Sequence, residues 1–447
     1  MNFLRTTFAT ARRARMYPNH WDLVALIFVL AIISFFAWSA RQMATPYELG
    51  QQTVITLDPH YLPFYAARTV VRMLVALCVS LLFTFTFATL AAKNRRAERL
   101  IIPFIDIMQS VPILGFMSVT VTGFIALFPG SLLGPECAAI FVIFTSQAWN
   151  MALGFYQTVR SVPNELQEAA RMLQLSAWQR FWRIDVPYSL PGLLWNTMAS
   201  MSAGWFFVVA SEAITVANQQ ILLPGIGSYI ATAIRAADLK AITYAIIAML
   251  VVILIYDQLL FRPLVAWSEK FKPDREAVGA NDPVAESWVV DLLRRTRMMR
   301  NLGVKIANLI NWAINFKLPL FSTNTVRKPK QQLERDERLL DWFWGVMIVG
   351  LSISAFAFLA YYVVQNISVY EIAQVFLLGI ITAFRVLIMI LLCSLFWVPV
   401  GVWIGLRPRM VYLVQPFAQI LAAFPANLLY PFIVVVIVRY HLNANIW

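Results

Sequence analysis

Apolar runs of about 20 residues, each long enough to cross a bilayer as a helix, recur along the whole of this chain. They predict helices near 22–40, 66–92, 100–128, 135–158, 191–215 and 240–262, and further ones near 340–364, 373–405 and 411–438. Two stretches interrupt the pattern. Residues 159–190 are mixed and carry short helical periodicities. Residues 263–337 are polar, with Pro and Asn scattered through them.

Composition turns this pattern into a membrane assignment. With 60% hydrophobic residues, 13% charged residues and a mean hydropathy of +0.68 over 447 residues, a soluble domain would have more apolar surface than it can bury. The run from Trp21 to Ala40 is too long for a signal-peptide core. Phe36 and Trp38 stand where a cleavage site needs small residues, so this run is expected to stay as an anchor.

The net charge of +13 is explained by topology rather than by nucleic acid, because the basic residues fall between apolar runs. Arg5, Arg12, Arg13 and Arg15 precede the first span, and Lys93, Arg95, Arg96 and Arg99 follow the second. Arg160, Arg171, Arg180 and Arg183 lie in the 159–190 connection, whereas 41–65 and 129–136 are poor in Lys and Arg. The positive-inside rule then gives a multi-pass membrane protein with a cytoplasmic N-terminus and a first six-span unit that is N-in, C-in.

From Arg262 to Arg338 there are 15 Lys or Arg against nine Asp or Glu, which marks a cytoplasmic linker. Within it Val289, Leu292, Leu293, Leu302, Ile306, Leu309, Ile310 and Ala313 recur near helical spacing, and Arg294, Arg295, Arg297 and Arg300 cluster beside them. Two readings stand: an interfacial helix on anionic headgroups, or a linker helix whose apolar stripe packs on the protein itself.

The chain also repeats. At an offset of 313, Thr69-Val-Val-Arg72 aligns with Thr382-Ala-Phe-Arg385, Leu82-Phe83 with Leu395-Phe396, Pro103-Phe104 with Pro416-Phe417, and Pro112 with Pro425. A proline in an apolar helix removes a backbone hydrogen bond, so two prolines recurring in register argue for duplication. Both copies start on the cytoplasmic side and are therefore parallel repeats. The domains read as 1–59, an N-terminal segment with the first helix and its connection; 60–270, a complete unit; 271–337, the basic linker; and 338–447, the start of a second unit.

The most specific local signal is Ser161-Val-Pro-Asn-Glu-Leu-Gln-Glu168-Ala169-Ala170, continuing to Gln174 and then to Ile184-Asp185-Val186-Pro187. Pro163 suits a first helical turn, and Leu166, Ala169 or Ala170, and Leu173 make a short apolar stripe with Glu165, Glu168 and Arg171 off it. Ser176 and Gln179 predict a capping box for a second short helix that ends before Pro187. A pair of alanines on such a surface helix admits the close approach of another protein.

Glu168-Ala169-Ala170 followed by Ile184 to Pro187 resembles the EAA loop of the inner-membrane permeases of binding-protein-dependent ABC importers, most closely the nitrate, sulfonate and taurine type in a tandem-fused version. The resemblance covers residues 60–270 and, in part, 370–447. It implies an all-α polytopic transmembrane domain of the type I ABC importer kind that moves a small solute, with a partner ATPase, expected as a dimer, carrying ATP and Mg. A periplasmic or lipid-anchored substrate-binding protein is the other implied partner. It also implies that Glu165, Glu168, Ala169, Ala170, Gln174, Ile184 and Pro187 form the loop that docks on the ATPase. The family usually has Gly where this chain has Gln174, a residue that turns left-handed only at some cost. The second unit is expected to carry its own loop near residue 481, roughly one repeat offset beyond the first, so the sequence reads as the front part of a longer fused permease.

No Gly-x-x-x-x-Gly-Lys-Ser/Thr run occurs, and the implied ATPase is therefore expected on a separate subunit. His20, His60 and His441 form no constellation, and Cys78, Cys137 and Cys393 show no metal-ligand spacing. Neither a metal nor a catalytic residue is expected in this chain. Ionisable groups within spans usually face a cavity or a bundle interior, which makes Asp106, Gln109 and Glu212 candidates for the translocation path. The alternative for them is an interhelical hydrogen bond, or for Glu212 a place near the headgroups. Arg72 and Arg385 read as snorkelling or structurally paired. Pro224-Gly225-Ile226-Gly227 permits a sharp turn into a short helix on the periplasmic side, where a gate is expected. Competing functions are an ion-coupled secondary transporter and a membrane scaffold.

Overall fold

The computed structural model describes residues 20–46, 54–216, 219–271, 288–290, 296–315 and 330–440. The N-terminal arginines at 5, 12, 13 and 15, positions 291–295 of the linker and the terminal residues from His441 onward lie outside the described residues. The chain divides into two compact units, Met1–Thr323 with Ala422–Trp447, and Asn324–Leu421.

The first unit is a helical bundle. Helix α1 is His20–Arg41, α2 Pro59–Lys93, α3 Arg95–Ser110, α4 Ile113–Leu127 and α5 Leu133–Arg160. A short α6, Asn164–Met172, precedes α7, Ala177–Glu212. A two-stranded antiparallel hairpin, β1 Ala213–Val216 and β2 Gln219–Leu222, leads to α8, Ile226–Arg235, and α9, Leu239–Ser268. In the linker, α10 spans Arg297–Asn315.

Helix α5 is the centre of the bundle, packed between α2 and α7. Lipid tails are as apolar as Leu, so burying apolar surface supplies little net drive inside a bilayer and close packing has to hold the helices together. Ala138, Ala139, Ala148 and Ala152 on α5 are all fully buried and let the neighbouring backbones come near, while Met73, Trp205, Met151 and Phe155 fill the remaining space.

Among the described residues, six helices are long and apolar enough to cross a membrane: α2, α5, α7, α9, and two in the second unit. The expected single helix over 100–128 is instead two, α3 and α4, parted at Val111-Pro112. Proline lacks the N–H a continuous helix needs and pushes its predecessor to extended backbone, here φ −74°, ψ 126° at Val111. Prolines 187 and 263, by contrast, sit inside continuous helices. Each follows a π-helical turn, Phe181–Asp185 and Asp257–Phe261, which contains the carbonyl four residues earlier that the ring would otherwise strike. The short helix expected to stop before Pro187 therefore runs on into α7.

The second unit contains α11, Lys330–Asn366, α12, Val369–Gly405, and most of α13, Pro408–Ala423. Ser368 and Glu371 form a capping box at the start of α12, whose apolar side chains are exposed along its length, as a lipid-facing helix allows. The expected helix over 411–438 is also broken, into α13, a 3₁₀ turn at Ala426–Leu429, and α14, Tyr430–Arg439.

Two pairs of positions aligned by the offset of 313 share local geometry. Pro112 has φ −65°, ψ 118° and Pro425 φ −71°, ψ 110°. Each accepts, on its carbonyl, a hydrogen bond from the backbone N–H three residues on, Gly115 at 2.9 Å and Leu428 at 3.1 Å. The Thr69 and Thr382 hydroxyl oxygens each lie within 3.1 Å of the carbonyl oxygen four residues back, on Tyr65 and Leu378.

Candidate functional site

Chemically distinctive features lie at the two opposite ends of the first unit. At one end is α6. Pro163 caps it with extended backbone, φ −56°, ψ 143°, rather than occupying its first turn, and Gln167 returns its side-chain amide to the Val162 carbonyl. Only Ala170 of this helix is buried; Glu165, Leu166, Glu168, Ala169 and Met172 are exposed, as is Leu173 just after it. Leu166, Ala169 and Leu173 share one face, so the helix presents an apolar edge that nothing in the described residues covers.

The helix is ended by Gln174, which adopts the left-handed conformation with φ 50°. The Leu175 N–H donates to the Ala170 carbonyl at 3.1 Å and the Gln174 N–H to Arg171 at 3.0 Å. Together these are the two bonds of a Schellman motif. The left-handed turn expected here is thus made by Gln. Ser176 and Gln179 then form the expected capping box.

The loop is mounted on the bundle through aromatic rings. Phe85, in the π-helical turn Thr84–Ala88 of α2, meets Phe181 at 5.9 Å, Trp182 at 6.0 Å and Phe155 of α5 at 5.4 Å between centroids. Asp185, 1% exposed, pairs with Lys93 at 2.9 Å and ties the end of α2 to the start of α7. Ile184 and Pro187 are half-buried in this joint.

At the other end, four charges are buried together. Arg68 and Arg72 on α2 both bind Glu136 at the start of α5, with Arg68 Nη2 at 2.7 Å and Arg72 Nε at 2.5 Å. Arg72 Nη1 also binds Glu212, the last residue of α7, at 2.7 Å. Glu212 accepts further hydrogen bonds from the Thr69 hydroxyl and the Gly227 N–H, each at 2.6 Å. None of the four side chains is more than 3% exposed, and two positive charges meet two negative ones. Such a set persists in an apolar interior only when both signs are matched and hydrogen-bonded, as here.

The turn Pro224 to Gly227 closes over this network. The Pro224 carbonyl accepts from Arg72 Nη2 at 2.9 Å. A Cβ on Gly225 would lie 2.3 Å from the Glu212 carboxyl carbon, and one on Gly227 would lie 2.2 Å from the Val209 carbonyl oxygen. The two glycines are needed for close approach, and the expected short helix, α8, follows directly.

The three in-span polar residues do not share a site. Glu212 is fully buried and engaged, whereas Asp106 and Gln109 are exposed, one turn apart on α3. A cavity of about 800 Å³ lies beside α3, lined by Phe83, Phe87, Leu100, Phe104 and Trp149 among others; neither Asp106 nor Gln109 lines it. Arg68 and Glu136 were missed as candidates. Their signal was present, since Arg68 sits one turn before Arg72, and Glu136 opens a long apolar run.

Residues 82–262 match the family described as "Binding-protein-dependent transport system inner membrane component". This segment is similar to such components, and its long apolar helices suit a transmembrane fold. The chain is similar to the bicarbonate transport system permease protein CmpB of Synechococcus elongatus, 23% identical over 182 residues, 41% of this chain and 59% of that protein. It is also similar to the nitrate import permease protein NrtB of Leptolyngbya laminosa, 22% identical over 262 residues, 54% of this chain and 89% of that protein. A probable ABC transporter permease protein of Brucella abortus is 28% identical over 179 residues, 39% of this chain and 66% of that protein. The chain thus spans under two thirds of the bicarbonate and Brucella permeases and most of the nitrate permease.

Proposed function

We propose that this chain is the membrane-spanning permease of an ATP-driven, binding-protein-dependent importer for a small inorganic anion of the nitrate or bicarbonate class. The observation that carries the reading is α6: a short helix with an uncovered apolar edge and an Ala-Ala pair, braced by the Gln174 turn and the Phe85 cluster. Glu165, Glu168, Ala169 and Ala170 would seat on a separate ATPase, which would bind ATP and Mg. Gln174, Ile184 and Pro187 would set the angle of the loop. The α6 end would face the cytoplasm with the N-terminus, and the hairpin and α8 would face a substrate-binding protein.

Glu212 acts in this reading as a tie between α2, α7 and α8, because the protein itself occupies its carboxylate. Asp106 and Gln109 remain the residues for the path, since their side chains are exposed on a helix broken by proline. The test is co-purification of the ATPase with the permease, together with ATP-driven uptake, for Ala169→Arg and Glu168→Lys. Loss of both, with the permease still in the membrane, is expected. Undiminished association and uptake, or uptake driven by an ion gradient without the ATPase, would overturn the proposal.

A further inference from the structure

Helix α10 holds two apolar surfaces of different kinds. Gly303, Ala307, Asn311 and Ile314 lie along one side and are the less exposed positions, with Ile314 buried. They are small apart from Ile314, and the helix packs against α1 and the first turn of α7. Its end is pinned at the α6 end of the unit. The Trp178 indole N–H donates to the Ala313 carbonyl at 3.2 Å, and Arg183 Nη2 donates to Asn315 Oδ1 at 2.7 Å.

The bulkier residues point elsewhere. Ile306, Leu309 and Ile310 are 53%, 67% and 44% exposed and fall within one arc of about 100° on the helix. The helix sequence contains Arg297, Arg300 and Lys305 and no acidic residue, a charge of +3 over 19 residues. Its end is pinned to the first turns of α7, a helix long and apolar enough to cross a membrane.

We infer that α10 is an interfacial helix that seats Ile306, Leu309 and Ile310 in the acyl boundary of an anionic lipid surface, which its net charge of +3 favours. Both sequence expectations for this segment are then combined in one helix, the small face on protein and the bulky arc in lipid. Three apolar side chains and three cations are an ordinary complement for an amphipathic helix that lies in the membrane plane. The inference needs only a membrane-embedded chain and is independent of the transported solute.

The test uses the full chain with Cys78, Cys137 and Cys393 replaced by Ala and a nitroxide at Leu309→Cys. It is reconstituted in vesicles of phosphatidylcholine with roughly one third phosphatidylglycerol. Collision with oxygen, which concentrates in acyl chains, is compared with collision with a water-soluble nickel chelate. The oxygen-to-nickel ratio is expected to be several-fold higher at 309 than at Asn308→Cys, and to fall in phosphatidylcholine alone. Ile306→Cys and Ile310→Cys repeat the reading, so one poorly folded variant does not decide it. Equal ratios at 308 and 309, low collision with both reagents at 309, or no dependence on phosphatidylglycerol would overturn the inference.

Discussion

At the scale of single residues, Gln174 and the buried charges carry the sharpest consequences. A left-handed φ costs an L-residue roughly 1–2 kcal/mol, part of which Gln174 recovers through the two Schellman hydrogen bonds of its turn. Gln174→Gly is therefore expected to raise the stability of the loop by up to about 1 kcal/mol and to preserve uptake, read as a higher melting temperature in detergent. Gln174→Val should do the opposite, because a β-branched residue resists this conformation more. That a turn follows α6 was legible from the sequence; that Gln174 would make it left-handed was a matter of backbone bonds the sequence does not display. The charge network leads to a second prediction. Arg72→Met or Glu212→Met alone leaves an unmatched charge among side chains at most 3% exposed, at a cost of about 3–5 kcal/mol. The double variant leaves the neutral Arg68–Glu136 pair and should recover much of that loss. Melting of the extracted protein across this cycle is the measurement, and additive losses would show that the two side chains do not act as a pair.

At the scale of elements, the long spans were legible because length and apolarity are enough to define them, whereas the breaks and continuities at prolines were not. Pro112 parts two helices and Pro187 does not; a π-helical turn precedes Pro187, a hydrogen-bond shift with no composition signal. The same kind of turn in α2 carries Phe85, whose ring touches both Phe181 and Trp182 of the loop and Phe155 of α5. Removing it should loosen the mounting of α6 without altering the exposed edge itself. Under the proposed function, Phe85→Ala is therefore expected to retain the ATPase on co-purification while lowering uptake several-fold. Loss of association in step with uptake would mean that the cluster shapes the docking edge rather than transmitting its movement.

At the scale of the whole first unit, α2, α5 and α7 each reach from one distinctive end to the other. Helix α2 carries Arg72 and Phe85, α5 carries Glu136 and Phe155, and α7 carries Asp185 and Glu212. At 1.5 Å per residue, the 28 residues of α5 span about 42 Å, so a displacement of α6 has three continuous helices through which to reach the charge network. This link rests on helices shared by both ends, and a variant at the far end tests it. Thr69 donates to Glu212 and accepts from the Ile226 N–H, tying α2 to both α7 and α8. Thr69→Val keeps the volume but leaves a buried N–H unpaired and Glu212 short of one donor, at roughly 1–3 kcal/mol. If the network closes the far end in step with the ATPase, this variant should bind the ATPase normally yet move several-fold less solute per ATP hydrolysed in reconstituted vesicles. An unchanged ratio of solute to ATP would mean that the buried charges serve only to hold the helices together, and that closure at that end depends on other contacts of the hairpin and α8.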